Sequence, residues 1–102
     1  MDQTTVVAQL AALAHPSRLA VFRALVRAGE HGLQPSALIQ SLDIAANTLS
    51  FHLKELKAAG LVTRERQGRA QRYRTDFVRT QELIDYLTHD CCGGMPCKVR
   101  KP

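Results

Sequence analysis

The chain has 102 residues, which is one domain's worth, and a hydrophobic fraction of 45% that supports a small core. No apolar stretch approaches the ~18 residues that a membrane span needs. The net charge of +5 sits in one place: between residues 54 and 74, Lys54, Lys57, Arg64, Arg66, Arg69, Arg72 and Arg74 are set against Glu55 and Glu65, and the rest of the chain is neutral. A basic block on a neutral chain is the pattern of a polyanion binder, nucleic acid above all. Catalysis is poorly served, because the acids and histidines are scattered and no glycine-rich phosphate loop occurs. The N-terminal run Met1-Asp2-Gln3-Thr4-Thr5 lacks the layout of a secretory signal. An odd number of cysteines, two of them adjacent, speaks for a reducing, cytoplasmic setting.

Val6, Val7, Leu10, Leu13 and Ala14 recur at helical spacing, so a first amphipathic helix is expected from about Gln3 to Ala14. His15-Pro16 interrupts it, and Pro16 suits the first turn of a second helix. That helix carries Leu19, Phe22, Leu25 and Val26 as its buried stripe and stops at Gly29-Glu30-His31-Gly32. Pro35 opens a short third helix with Leu38, Ile39 and Leu42. After a turn at Asp43-Ile44, a fourth helix from about Ala46 to Ala59 presents Leu49, Leu53 and Leu56, and Gly60 supplies a left-handed stop.

From Leu61 the period changes to two. Residues 61–66 and 71–75 alternate about Gln67-Gly68-Arg69-Ala70, which reads as a β-hairpin with arginines on its outward positions. A last helix marked by Val78, Leu83, Ile84 and Leu87 ends near Asp90. Directly after it come all three cysteines, in Cys91-Cys92-Gly93-Gly94-Met95-Pro96-Cys97. Adjacent cysteines are poor disulfide partners, whereas three convergent thiolates suit a soft, thiophilic ion.

The expected fold is mainly α with a β-hairpin wing, in the order α-α-α-α-β-β-α: a winged helix-turn-helix. Residues 1–90 are expected to form the DNA-binding domain and residues 91–102 a cysteine-containing tail. In such a module the fourth helix buries Leu49, Leu53 and Leu56 and offers its other side to the major groove. Asn47, Thr48, Phe51, Lys54 and Glu55 fall on that side, with Ser50 on the flank. Lys54 and Lys57 can meet phosphates. Phe51 is either a thymine-methyl contact or part of a partner interface. Arg69, at the hairpin tip, is placed for minor-groove insertion, and Arg66, Gln71 and Arg72 for backbone contacts.

The run Leu49-Ser50-Phe51-His52-Leu53-Lys54-Glu55-Leu56-Lys57-Ala58-Ala59-Gly60-Leu61-Val62, followed by Arg66, Gly68, Arg69 and Tyr73, resembles the ArsR/SmtB family of metalloregulatory repressors. So does Leu13-Ala14-His15-Pro16-Ser17-Arg18-Leu19, where the second helix begins. The resemblance implies a homodimer joined through the first and last helices. It implies operator binding without inducer and release when a metal or metalloid binds. It makes residues 1–90 the DNA-binding and dimerisation domain and residues 91–102 the effector-binding tail, and places DNA contacts at Ala46, Asn47, Ser50 and Phe51, although Ala46 stands where a polar residue is often found. His52 matches a recurrent family histidine, expected here to pack or hydrogen-bond.

The family's arsenic site on the helix before the recognition helix is absent, because residues 33–39 hold no thiol. A zinc site on the last helix would have Asp85, His89 and Asp90 as its candidates. Cys91, Cys92 and Cys97 look like the tail-located arsenite site of a subgroup, in which three thiolates form a pyramid on As(III); Sb(III) shares that preference. Lead or cadmium, thiol oxidation, and a metalloid carrier without regulatory role are the alternatives. Contacts to the ion from His89 or Met95 stay open.

Overall fold

The computed structural model describes residues 1–95. Among these, α1 is Gln3–Leu13, α2 Pro16–Ala28, α3 Pro35–Leu42, α4 Ala46–Ala58 and α5 Phe77–Thr88. The hairpin strands are β1, Val62–Gln67, and β2, Ala70–Thr75, and 3₁₀ turns occupy Gly29–His31 and Cys91–Gly94. The expected element order is present, as is the winged helix-turn-helix arrangement of α3, α4 and the hairpin.

Local chemistry explains the element ends. Asp2 caps α1 by accepting from Thr5 N–H at 2.8 Å, and Asp76 caps α5 by accepting from Arg79 N–H at 3.0 Å. His15 caps α2: its Nδ1 accepts from Arg18 N–H at 3.2 Å, and Pro16 follows in the first turn, where a missing N–H costs nothing. Gly60, at φ +79°, closes α4 as expected. Its N–H donates to Lys57 and that of Leu61 to Leu56, which is the paired bonding of a Schellman end.

The core runs through the middle of the chain. Val21 and Leu25 of α2, Leu38 of α3, Leu49, Leu53 and Leu56 of α4, and Leu61 and Val62 at the root of the wing are all buried. Full burial of one such side chain contributes about 1.5–3 kcal/mol. Between β1 and β2 the register sets Val62 opposite Thr75 and Gln67 opposite Ala70, leaving a two-residue turn of Gly68 and Arg69. Gly68 has φ +61°, the sign a tight hairpin turn needs at its first central position.

One expected buried stripe, that of α2, is corrected, and the structure shows which apolar residues of α1 and α5 are inside. In α1, Val7 and Leu10 are exposed, and the buried face is Val6, Gln9 and Ala12. In α2, Leu19 is exposed, and Val21 takes its place inside. In α5, Leu83 is buried, and Val78 (70% exposed), Ile84 and Leu87 face outward. The physical reason is shared by all three helices: they carry apolar residues on more than one side, and a single chain can cover only one. The tail also differs from a plain loop, because Cys91–Gly94 forms a 3₁₀ turn with Asp90 and Cys92 at positive φ.

Candidate nucleic-acid interface and cysteine tail

α4 is divided cleanly. Leu49, His52, Leu53 and Leu56 are buried, while Ala46, Asn47, Thr48, Ser50, Phe51, Lys54 and Lys57 are exposed and Glu55 is half-buried. Every α4 residue expected to contact DNA is therefore on the open side. Its N-cap, Ala45, has no side-chain bond to offer, so the first turn presents backbone N–H groups outward. Asn47 Oδ1 accepts from Thr48 N–H at 2.9 Å. Such an end suits a phosphate or an acceptor on a base edge.

The wing divides its residues by strand parity. Arg66 and Gln71 are opposite one another and share a face with Arg64 and Tyr73; Glu65 and Arg72 are opposite on the other face. Arg69 projects at the exposed tip. Arg72 is drawn away from these: its Nη1 donates to the carbonyls of His31 at 3.3 Å and Gly32 at 3.4 Å. Arg74 and Glu65 form an exposed pair at 3.7 Å, of the kind that contributes little.

The wing is anchored by a contact the sequence pattern does not show. Leu33 and Tyr73 form an isolated antiparallel bridge, so the segment between α2 and α3 supplies a one-residue third strand. At the base, Asp76 N–H donates to the Leu61 carbonyl at 2.9 Å.

His52 lies inside, 3% exposed, as its helical position suggested. Its Nδ1 accepts from Nε of Arg18 at 3.3 Å, and the His15 ring packs against it with centroids 4.8 Å apart. Burial first, then the Arg18 and His15 charges, push its pKa below the ordinary histidine value of 6.5. Arg18 also lies over Phe51, its Cζ 5.5 Å from the ring centroid. Sequence reading did not single out Arg18, and no local signal could have placed it against α4, because its partners there, Phe51 and His52, are 33 and 34 positions away along the chain.

Beyond α5, His89 Nε2 and Asp90 Oδ2 approach to 3.4 Å in an exposed position. The Cys91 and Cys92 sulfurs are 3.6 Å apart, on an exposed turn beside Gly93 and Gly94, where an added Cβ would meet nothing. Cys92 takes part in a disulfide, so its sulfur becomes a thiolate ligand only after reduction. Cys97, the third expected ligand, lies outside the described residues. Met95 is exposed. Among the described residues, no group of three or more His, Cys, Asp or Glu side chains is gathered to hold a metal, and that includes the zinc candidates Asp85, His89 and Asp90. No described helix is long and apolar enough to cross a membrane.

The comparisons with known proteins agree with this architecture. The family pattern described as "Helix-turn-helix domain" matches residues 13–65, from the end of α1 into β1. The HTH-type transcriptional repressor SmtB of Mycobacterium tuberculosis is 37% identical over 81 residues, 78% of this chain. That stretch is 58% of the relative, so the chain spans somewhat over half the length of the curated protein it matches. Among solved structures, an ArsR-like transcriptional regulator from Rhodococcus sp. RHA1 superposes with a TM-score of 0.78 at 24% identity, covering 89% of this chain and 83% of that one. The homodimeric winged helix-turn-helix DNA-binding domain of a possible ArsR-family regulator from Mycobacterium bovis gives 0.67 at 25% identity, over 94% and 89%. These relatives are regulators, a non-enzymatic class. The sequence match to SmtB, the helix-turn-helix pattern and the winged fold together show that this chain belongs to the ArsR/SmtB family of helix-turn-helix transcriptional regulators.

Proposed function

We propose that the chain is a DNA-binding repressor that works as a two-fold dimer and leaves its operator when As(III) or Sb(III) is bound by Cys91, Cys92 and Cys97. The observation that carries the DNA reading is the division of α4. Its apolar row is spent on the core, and its outward face stands beside an arginine-bearing hairpin. Ala46, Asn47, Thr48, Ser50 and Phe51 would read or approach bases, while Lys54, Lys57, Arg66, Arg69 and Gln71 would meet backbone or minor groove.

The dimer reading is supported by the apolar side chains that α1 and α5 leave outside: Val7, Leu10, Val78, Ile84 and Leu87. A second copy is the natural cover for such a face, and the M. bovis neighbour is a homodimer. Two recognition helices related by a two-fold axis read half-sites about one helical turn apart. The cysteine turn follows α5 directly, so ring closure around an ion would act on the end of a dimer helix. Coupling of ~1–3 kcal/mol corresponds to about 5–150-fold in operator affinity. Residues 1–90 would then be the DNA-binding and dimerisation unit, and residues 91–102 the sensor.

The deciding experiment is an operator titration under reducing conditions, with and without arsenite, on wild type and on Cys91→Ser, Cys92→Ser and Cys97→Ser. Wild type is expected to release DNA and each variant to hold it. Release by all three variants at the wild-type arsenite concentration would remove the tail from the sensing role. The same titration with zinc, cadmium, lead and peroxide separates the other effectors.

A further inference from the structure

Arg18 belongs to neither the recognition helix nor the wing, yet its contacts converge on α4 and on the end of α1. Nε donates to Nδ1 of His52 at 3.3 Å, Nη1 donates to the Ala12 carbonyl at 3.4 Å, and the guanidinium carbon lies 5.5 Å from the centre of the Phe51 ring. Both hydrogen bonds are long, so neither alone would fix the side chain. Three contacts from one planar group do so together. The ring distance is within the ~6 Å at which a cation is drawn to an aromatic face.

Phe51 and His52 are neighbours on α4 with opposite fates. His52 is buried, and Phe51 is 52% exposed on the face proposed to meet DNA. Arg18 sits at the boundary between them, its Nε donating to His52 and its guanidinium carbon over the exposed ring. We propose that Arg18 is a positioning residue for sequence reading: it holds Phe51 in the orientation offered to the bases, and contributes to discrimination among DNA sequences without touching DNA. The inference rests on the DNA-binding reading above. A ring ordered before binding spares the complex the cost of ordering it afterwards.

The clamp requires a neutral imidazole. Nδ1 of His52 accepts the bond only while it carries no proton; protonation would set two N–H groups head to head and two cations side by side. The charged or titratable groups around His52 are Arg18 and His15 at the start of α2, and Glu55 one turn along α4, which lines the same cleft as Arg18. α1 presents Ala8, Ala11 and Ala12 to that cleft. Sequence discrimination therefore falls in acid, as His52 takes up its proton.

The test uses the full chain, a duplex that wild type enriches from a randomised library, and a scrambled duplex, with binding followed by fluorescence anisotropy. Arg18→Gln is expected to lose about tenfold in affinity for the selected duplex, with affinity for the scrambled one unchanged. The loss caused by Phe51→Ala should be smaller in the Arg18→Gln background than in wild type, because the two residues act as a unit. Arg18→Lys, which keeps the cation but not the planar fork, recovers part of the loss. Equal losses on both duplexes, or losses that multiply in the double variant, overturn the inference alone. A wild type that enriches no duplex overturns the DNA-binding reading and this inference with it. If Arg18→Gln does not fold, the pH profile decides. Wild type should lose selectivity in acid, as pH falls from 6.5 through the lowered pKa of His52, whereas His52→Asn, whose amide oxygen replaces Nδ1 as acceptor, should not. Identical profiles overturn the inference.

Discussion

Leu33 and Tyr73 exchange two backbone hydrogen bonds of 2.9 Å each, and this reciprocal pair ties the wing to the segment before α3. Gly32, the residue before it, is buried at φ +65° with the Tyr73 carbonyl directly over its Cα, so that an added Cβ would overlap that oxygen. Backbone cannot swing aside as a side chain can. Gly32→Ala should cost about 3 kcal/mol or more in urea unfolding. Gly68→Ala, with similar φ and open space around it, should cost about 1 kcal/mol. Equal costs would mean that the bridge is not an anchor.

The two wing faces predict different outcomes for similar arginines. Arg66→Ala and Arg69→Ala should each flatten the salt dependence of DNA binding, by about 0.9 in log–log slope for every phosphate no longer neutralised, at unchanged stability. Arg72→Ala should instead lower the melting temperature, because its guanidinium is bonded to the His31 and Gly32 carbonyls. A normal melt with a reduced slope would return Arg72 to the DNA-contacting set.

On α5, Leu83 faces the core and Val78 and Leu87 face outward. Leu83→Ala should destabilise the fold by about 2–5 kcal/mol. Val78→Lys with Leu87→Lys should leave helix content intact by circular dichroism and shift sedimentation from dimer to monomer. Wild-type protein that sediments as a monomer at micromolar concentration would exclude this face as a self-association surface.

His52 and Asp2 each contribute to the pH dependence of stability. The folded pKa of His52 is below 6.5, so the unfolded chain takes up the proton first. Its contribution is complete above pH 6.5 and is lost as pH falls through the folded value. Asp2 is held below 3.8 by its bond to Thr5 N–H, so its contribution is complete above pH 3.8 and is lost in stronger acid. Urea midpoints between pH 8 and pH 5 should decline for wild type and less for His52→Asn. Parallel declines would mean that His52 is not the titrating group.

His89 offers a check on the effector. Its contact is Asp90, in an exposed position, and imidazole is a poor partner for trivalent arsenic. His89→Ala should leave arsenite-driven release of DNA unchanged, as read by the same operator titration. A variant that no longer responds would point to a nitrogen-binding metal instead.

Much of this protein was legible along the chain. The punctuation by Pro16, Pro35 and Gly60, the helical spacing of Leu49, Leu53 and Leu56, and the alternation on either side of Gly68 determine the element order, because each acts within one turn or one strand. The exposed residues of α4 followed from the same wheel, since a helix that buries one row must show the opposite one. What the sequence by itself could not decide was which of several apolar rows is covered. Leu19 reads as core and is exposed, and the helical spacing of Val7, Leu10, Val78, Ile84 and Leu87 does not say which of them is covered, because burial depends on where the neighbouring helices are placed. Arg72 and Arg18 make contacts that depend on the same placement. Gly32 and Phe51 are far off along the chain from them, and only the folded backbone brings a carbonyl of Gly32 or the ring of Phe51 within reach. Local spacing writes the elements; which side of each is dry, and which cation is spoken for, is decided by contacts between residues remote in sequence.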